Sequence, residues 1–357
     1  MKIKELLAEM IKVEASDLFY RAGGVPHLRI DGKVKAAGGE TLTLDDVIKA
    51  AEELTTAKQR ELFKANLDID FAVYLEEFQR RFRVSIFMQR NWPSIIIRNI
   101  RNQIGSFEEL NLPAEVCKKL AMETRGLIIL TGSTGSGKST TIASLIEYIN
   151  STYEKHILTI EEPIEFTFKD KNSVINQREL GTDVQSYATA LRAFTLQSPD
   201  VIYIANIRDL ETMSAALTIA ETGVLVLATL HTINAAQTVE RIVNFFPPYQ
   251  HAQVRMQLSS LLKGVMSLRL VPQKGQPGRV PAYETMLLSP SIARLIREDK
   301  IYEIPHFIED GSIFGMQSFN QTLVHLVNQN KITAESAEEF CDNKEEFALL
   351  LKGIKKR

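Results

Sequence analysis

The sequence predicts an α/β protein of two domains. A small mixed α+β domain spans residues 1–100, a linker 101–113, and a larger domain with a mainly parallel sheet and a helical C-terminal region 114–357. Three observations carry that reading. The first hundred residues alternate short strands with Gly turns. From about residue 114, continuous apolar runs alternate with stretches of helical period. Strands that are apolar throughout are buried on both faces, as in a parallel sheet covered by helices. Between the first run and the following helix stands a glycine-rich loop, GSTGSGKS at 132–139. A length of 357 residues suits two domains.

In the first domain, Lys4 to Val13 has helical periodicity, with Leu6, Leu7, Met10 and Ile11 on one face. His27 to Ile30, the Asp31-Gly32 turn and Lys33 to Ala37 read as a hairpin. Thr41 to Ala65 carries helical patterns. Asp68 to Tyr74, Arg80 to Gln89 and Ser94 to Asn99 read as further strands. In Arg80 to Gln89, Phe82, Val84, Ile86 and Met88 alternate with Arg81, Arg83, Ser85 and Phe87. Polar, turn-like sequence from Arg101 to Pro113 reads as a linker.

The apolar runs of the second domain are Leu127–Leu130, Ile157–Ile160, Val201–Ala205 and Val224–Leu230. Beyond Gln273 come a Gly/Pro-rich loop, Lys274 to Pro281, and then mainly helical patterns. The chain closes on a basic tail, Lys352 to Arg357, whose plain reading is a solvated terminus.

Composition narrows the function classes. Lys and Arg number 42 against 44 Asp and Glu, so the net charge is −2 and no global basic field points to nucleic acid. The 45% of hydrophobic and 24% of charged residues are ordinary for a globular chain, which excludes disorder and collagen-like repeats. Cys117 and Cys341 stand far apart with no C-x-x-C pair, so neither a cysteine zinc site nor a redox dithiol is expected, and a reducing cytoplasm is. The charged start, MKIKELLAEMIKVEASD, lacks the apolar core of a signal peptide. The longest apolar run, VLVLATL, falls far short of the roughly 18–20 residues that span a bilayer. No direct membrane insertion is expected.

The loop at 132–139 matches G-x-x-x-x-G-K-[ST] in full, with a strand before it and an amphipathic helix, Thr140 to Ile149, after it. Glycines let the backbone curl so that successive N–H groups face phosphate oxygens. The positive end of the helix adds a favourable field. Ser133, Thr134, Gly135, Ser136, Gly137, Lys138, Ser139 and Thr140 are therefore the expected nucleotide-binding residues. Lys138 would reach the β- and γ-phosphates of ATP, and the Ser139 hydroxyl would ligate Mg²⁺.

In an open parallel sheet the reacting groups project from the carboxyl ends of the strands. Ile157–Ile160 ends in Glu161-Glu162, two carboxylates that could orient Mg²⁺ waters or accept a proton, or that could form a solvated acidic turn. Val224–Leu230 ends in His231, a candidate γ-phosphate sensor or a plain loop histidine. Val201–Ala205 is followed by Asn206, which can hydrogen-bond a water but cannot take its proton at neutral pH.

The segments TGSTGSGKST, TIEEPIEF, INQRELG, SPDVIYIANIRD and ATLHT together resemble the secretion-type hexameric ATPases. Most of all they resemble the type IV pilus retraction ATPases of the PilT/PilU kind. The likeness continues through ASDLFYRAGGVPHLRIDG, RFRVSIFMQR, GRVPAYE, IARLIRE and GMQSFNQTL, so it covers nearly the whole chain. It implies a PAS-like N-terminal domain followed by a RecA-like ATPase domain, and a homo-oligomeric six-membered ring with ATP at domain interfaces. It further implies arginines of the N-terminal domain that reach the triphosphate. These would be Arg83 and Arg98, with Arg81 and Arg90 as weaker candidates. The IARLIRE helix is the family's retraction motif. The implied partners are a pilus inner-membrane platform protein and a paralogous retraction ATPase, met at the inner face of the cytoplasmic membrane. Assembly-type relatives usually carry a four-cysteine zinc motif and an extra N-terminal domain. With two cysteines and this length, the chain is expected in the retraction branch.

The chain departs from the family pattern at four places, five residues in all. Ala205-Asn206 stands where Gly-Glu is usual, Glu162 where Asp is, Val224 where His is, and Leu196 where a second arginine follows Arg192. The first departure removes the carboxylate credited with activating water, and Glu161 becomes the candidate base. Losing a general base costs about 10²–10⁴-fold in rate. The resemblance thus leaves two expectations: an ATP-hydrolysing retraction motor, and a nucleotide-binding regulatory or structural ring subunit with weak turnover.

Overall fold

The structure is a computed structural model that describes residues 3–30, 32–100 and 104–354. Asp31 of the expected hairpin turn, Arg101, Asn102 and Gln103 of the expected linker, and Lys355, Lys356 and Arg357 of the basic tail lie outside the described residues. The chain divides into two compact units, Met1–Gln103 with Pro163–Thr167, and Ile104–Glu162 with Phe168–Arg357.

The first unit holds six strands: β1 (Asp17–Arg21), β2 (His27–Ile30), β3 (Lys33–Ala36), β4 (Asp68–Leu75), β5 (Arg80–Gln89) and β6 (Trp92–Asn99). They form an antiparallel sheet in the order β3-β2-β1-β6-β5-β4. The alternation in β5 puts Phe82, Val84 and Ile86 into the core. Its hairpin to β6 turns on Arg90 and Asn91, both at positive φ, as a tight two-residue turn requires. Helices Ile3–Lys12, Leu44–Leu54 and Ala57–Asn66 belong to this unit. The last two begin at Thr43 and Thr56, each closing a capping box with the residue three positions on. Leu6, Leu7, Met10, Val47, Ile95 and Ile97 join one core, so an α+β arrangement around an antiparallel sheet is found. Strand β1, DLFYR, has no counterpart in the sequence reading.

The second unit is built on seven strands: β7 (Gly126–Thr131), β8 (His156–Glu161), β9 (Val174–Glu179), β10 (Val201–Ile204), β11 (Leu225–Leu230), β12 (Leu262–Pro272) and β13 (Arg279–Leu287). Their order is β13-β12-β7-β11-β10-β8-β9, and every pairing is parallel except β12 with β13. Strands β7 and β11 are buried along their whole length, as their unbroken apolar runs demand. Arg279 to Pro281, expected in a loop, starts β13 instead. This strand is held antiparallel to β12 over nine residue pairs, and that pairing outweighs the proline at its third residue. From residue 290 the chain is helical, as expected. Phe107 and Leu112 are buried in the core of this unit.

Candidate nucleotide site

Parallel register fixes where the strand tips lie. Leu230 pairs with Thr131, Ala228 with Ile204, and Ile204 with Ile160, so β7, β11, β10 and β8 end along one edge of the sheet. The chain leaving each tip carries one of the sequence candidates.

After β7 the loop turns through Gly132, Gly135 and Gly137, all at positive φ. At Gly132 a side chain is also excluded by space, because a Cβ would meet the Leu268 carbonyl and the Ser136 hydroxyl at 2.5 Å each. The helix Lys138–Thr152 follows directly, so its N-terminal N–H groups face the loop. Ser133, Thr134 and Gly135 are exposed, and Gly137, Ser139 and Thr140 are half-buried. The Ser136 Oγ is buried without a hydrogen-bond partner, a donor left for a phosphate oxygen. Lys138 Nζ donates to the carbonyls of Gly132 at 2.7 Å and Ser133 at 2.8 Å, folded over the cradle it would share with phosphate.

Glu161 is the last residue of β8 and is buried. Thr159 Oγ1 donates to its carboxylate at 2.7 Å and Gln177 Nε2 at 3.0 Å, which fixes its orientation. Glu162, one residue on, is exposed and pairs with Arg208 at 3.2 Å. Asn206 follows β10 in the left-handed conformation, φ 63°, and its backbone N–H donates to Thr229 Oγ1 at 2.8 Å. With its amide oriented to satisfy both neighbours, Asn206 donates to His231 Nε2 at 3.0 Å and accepts from Arg208 Nε at 2.6 Å. His231 Nε2 is then an acceptor and the ring a neutral tautomer. Desolvation first, and then the positive charge of Lys138, hold the His231 pKa below its ordinary 6.5, against a hydrogen bond to the Gly132 backbone that pulls it up.

Asn206, Arg208, Glu162 and His231 thus form one hydrogen-bonded group beside the phosphate loop. Sequence reasoning found three of the four. It missed Arg208, although IANIRD places it two residues past Asn206. It also missed a cleft of about 660 Å³ beside the loop, lined by Ser133, Ser136, Arg269, Arg279, Phe340 and Asp342 among others. Arg269 reaches it from β12 and Arg279 from β13, two strands whose existence the sequence did not signal. Among the described residues no group of three His, Cys, Asp or Glu could by itself hold a metal ion.

Arg83 and Arg98 are placed in the first unit, opposite one another on β5 and β6. Arg83 forks onto Asp70, with Nε at 3.1 and 3.0 Å from the two oxygens. Arg98 Nε donates to Asp17 at 3.0 Å, and the nearly buried Asp17 also pairs with Arg29 at 3.1 Å. Arg90 occupies the β5–β6 turn.

Comparison with known proteins agrees with this geometry. The family described as type II/IV secretion system protein matches residues 1–303. The type IV pilus ATPase PilU of Pseudomonas aeruginosa is 39% identical over 99% of this chain and 92% of its own. The type IV pilus retraction ATPase PilT of the same organism is 41% identical over 97% of this chain and 100% of its own. A crystal structure of the pilus retraction motor PilT with bound ADP superposes with a TM-score of 0.89 at 43% identity, covering 97% of this chain and 98% of that one. A P-loop at the edge of a parallel sheet, on a chain matched along almost all its length, places this protein in the type II/IV secretion system family of ATPases.

Proposed function

We propose that this chain is an ATP-hydrolysing motor subunit that powers type IV pilus retraction as a six-membered ring of identical chains. The observation that carries the reading is the complete phosphate cradle, Gly132 to Ser139, with an orphaned Ser136 hydroxyl and Lys138 folded over it. The identity to named pilus ATPases along nearly the full chain supports the rest.

In this reading the loop N–H groups and Lys138 bind the β- and γ-phosphates, and the cleft walled by Arg269, Arg279 and Phe340 takes the nucleoside half. Ser139 would hold Mg²⁺ with phosphate oxygens and waters completing its shell, and the ion would neutralise charge on the transferring group. Glu161, oriented by Thr159 and Gln177, aligns or deprotonates the attacking water. His231 senses the γ-phosphate, and Glu162 holds Arg208 in place. Arg83 and Arg98 enter only through the family resemblance, as transition-state charges, and their alanine variants test that role in the assay below. A platform protein at the inner face of the cytoplasmic membrane, and a paralogous ATPase, complete the proposed partners. No helix of the described residues is long and apolar enough to cross a membrane.

Multiple-turnover phosphate release decides the reading. The full chain should release phosphate at least 10²-fold faster than Lys138→Ala, and its mass with ATP should be that of six copies. Release no faster than the variant's would favour a second reading, a nucleotide-binding ring subunit without competent turnover. The amide of Asn206, standing where a carboxylate is usual and bound to His231 and Arg208, is the observation on its side.

A further inference from the structure

Glu284 is a carboxyl that the nucleotide chemistry above does not use. It stands on β13, within GRVPAYE, and is buried to 6% exposure. Its Oε1 accepts from the Ala235 backbone N–H at 2.6 Å and from the Ser267 hydroxyl at 3.1 Å. Ala235 is the first residue of the helix Ala235–Val243, where N–H groups lack partners within the helix. Asn234 caps that helix by accepting from Gln237 N–H at 2.9 Å, and Glu284 takes a second first-turn donor, at Ala235. A carboxylate there also meets the positive end of the helix.

This helix begins four residues after His231, and the loop between them is tied at two ends. At the near end Thr131 Oγ1 bonds the Thr232 hydroxyl at 2.6 Å, and the Thr232 hydroxyl bonds Thr238 at 2.7 Å. Thr131 is the residue before Gly132, so this tie leads into the phosphate loop. At the far end the tie is Glu284.

We propose that Glu284 is a positioning residue for His231: by holding the Ala235 N–H it fixes the far end of the His231 loop, and so sets the ring against Asn206 and the Gly132 backbone. This rests on the nucleotide-site reading above and names a part that reading lacks. Besides the end of the 235–243 helix, the charged groups that face Glu284 are Arg269 from β12 and Asp342 from the chain after the helix Ala334–Phe340. Burial pushes the carboxyl up to about 7. Asp342 acts in the same direction, while Ala235, Ser267 and Arg269 oppose it. Near neutral pH the tie therefore changes form. As a carboxylate it accepts from both donors strongly, and as an acid it does so weakly.

Selective ¹³Cε1-histidine labelling of the full chain reads the tie directly. There are six histidines, and His231→Gln identifies the one that matters. The His231 signal should show its own titration below 6.5 and a second inflection near pH 7. Glu284→Gln, which keeps an acceptor oxygen, should abolish the second inflection and leave the first. Ser267→Ala, which leaves the Ala235 bond in place, should keep it and move it to higher pH. Glu284→Leu, where it folds, should displace the signal at every pH. A single inflection in the wild type, or a second one that survives Glu284→Gln, overturns the proposal, as does a Leu variant that is less stable with His231 unmoved. Phosphate release compared with Lys138→Ala on the same samples judges the ATPase reading separately, so the two can fail independently.

Discussion

Asn206 puts a neutral amide at the tip of β10, between a neutral imidazole and a guanidinium already paired with Glu162. Its φ of 63° suits asparagine better than most side chains. A glutamate there would face Arg208 and stand beside His231, and a carboxylate near an imidazole raises its pKa. Asn206→Glu should therefore move the His231 titration up. If the missing base limits turnover, it should also speed phosphate release by on the order of 10²-fold. A backbone penalty of about 1 kcal/mol would be visible as a small loss of stability. An unchanged rate with the His231 titration moved would assign water activation to Glu161, whose carboxylate Thr159 and Gln177 already orient.

The phosphate loop fails or holds as an element, because Gly132 lies where backbone and side chain both crowd it. At φ 142°, with the Leu268 carbonyl and Ser136 Oγ each 2.5 Å from a built Cβ, Gly132→Ala has no low-energy solution. It should cost about 2–4 kcal/mol and weaken ADP binding more than tenfold, read by thermal unfolding and by titration of a fluorescent nucleotide. Retained affinity would mean that the loop can re-form without this turn. The same loop was legible in the sequence because its glycines answer a backbone demand that no other residue meets. Strands β7, β8, β10 and β11 were legible because burial on both faces leaves mostly apolar residues. Strand β9, VINQRE, is an edge strand with four of its six residues polar, and β12 follows the helix His251–Leu261 directly, with no residue between them. With β12 and β13 hidden, Arg269, Arg279 and Glu284 could not be placed beside the site. Arg208 was missed for another reason: β9 comes between β8 and β10 in the chain but lies at the sheet edge, so β8 and β10 pair directly and the chain leaving β10 brings Arg208 to Glu162.

At the scale of the whole molecule, the near balance of 42 basic and 44 acidic residues leaves the pH dependence of stability to the few groups whose pKa folding displaces. Two of them pull in opposite directions. Glu284 rises from its ordinary 4.5 to about 7 on folding, so the folded state prefers its proton. That contribution is full below pH 4.5 and is lost as pH climbs to about 7, a change of roughly 3 kcal/mol. His231 is lowered below 6.5, so its contribution is present above that value and is lost as pH falls. His231 is exposed and Glu284 buried, so the glutamate should dominate. The second unit should then unfold at a temperature several degrees lower at pH 8 than at pH 5.5, and Glu284→Gln, which cannot ionise, should remove most of that difference. Calorimetry at the two pH values, on wild type and variant at one protein concentration, checks it. Equal pH slopes in the two chains would show that Glu284 finds its charge compensated by Arg269 and the two donors it already holds, Ala235 N–H and the Ser267 hydroxyl.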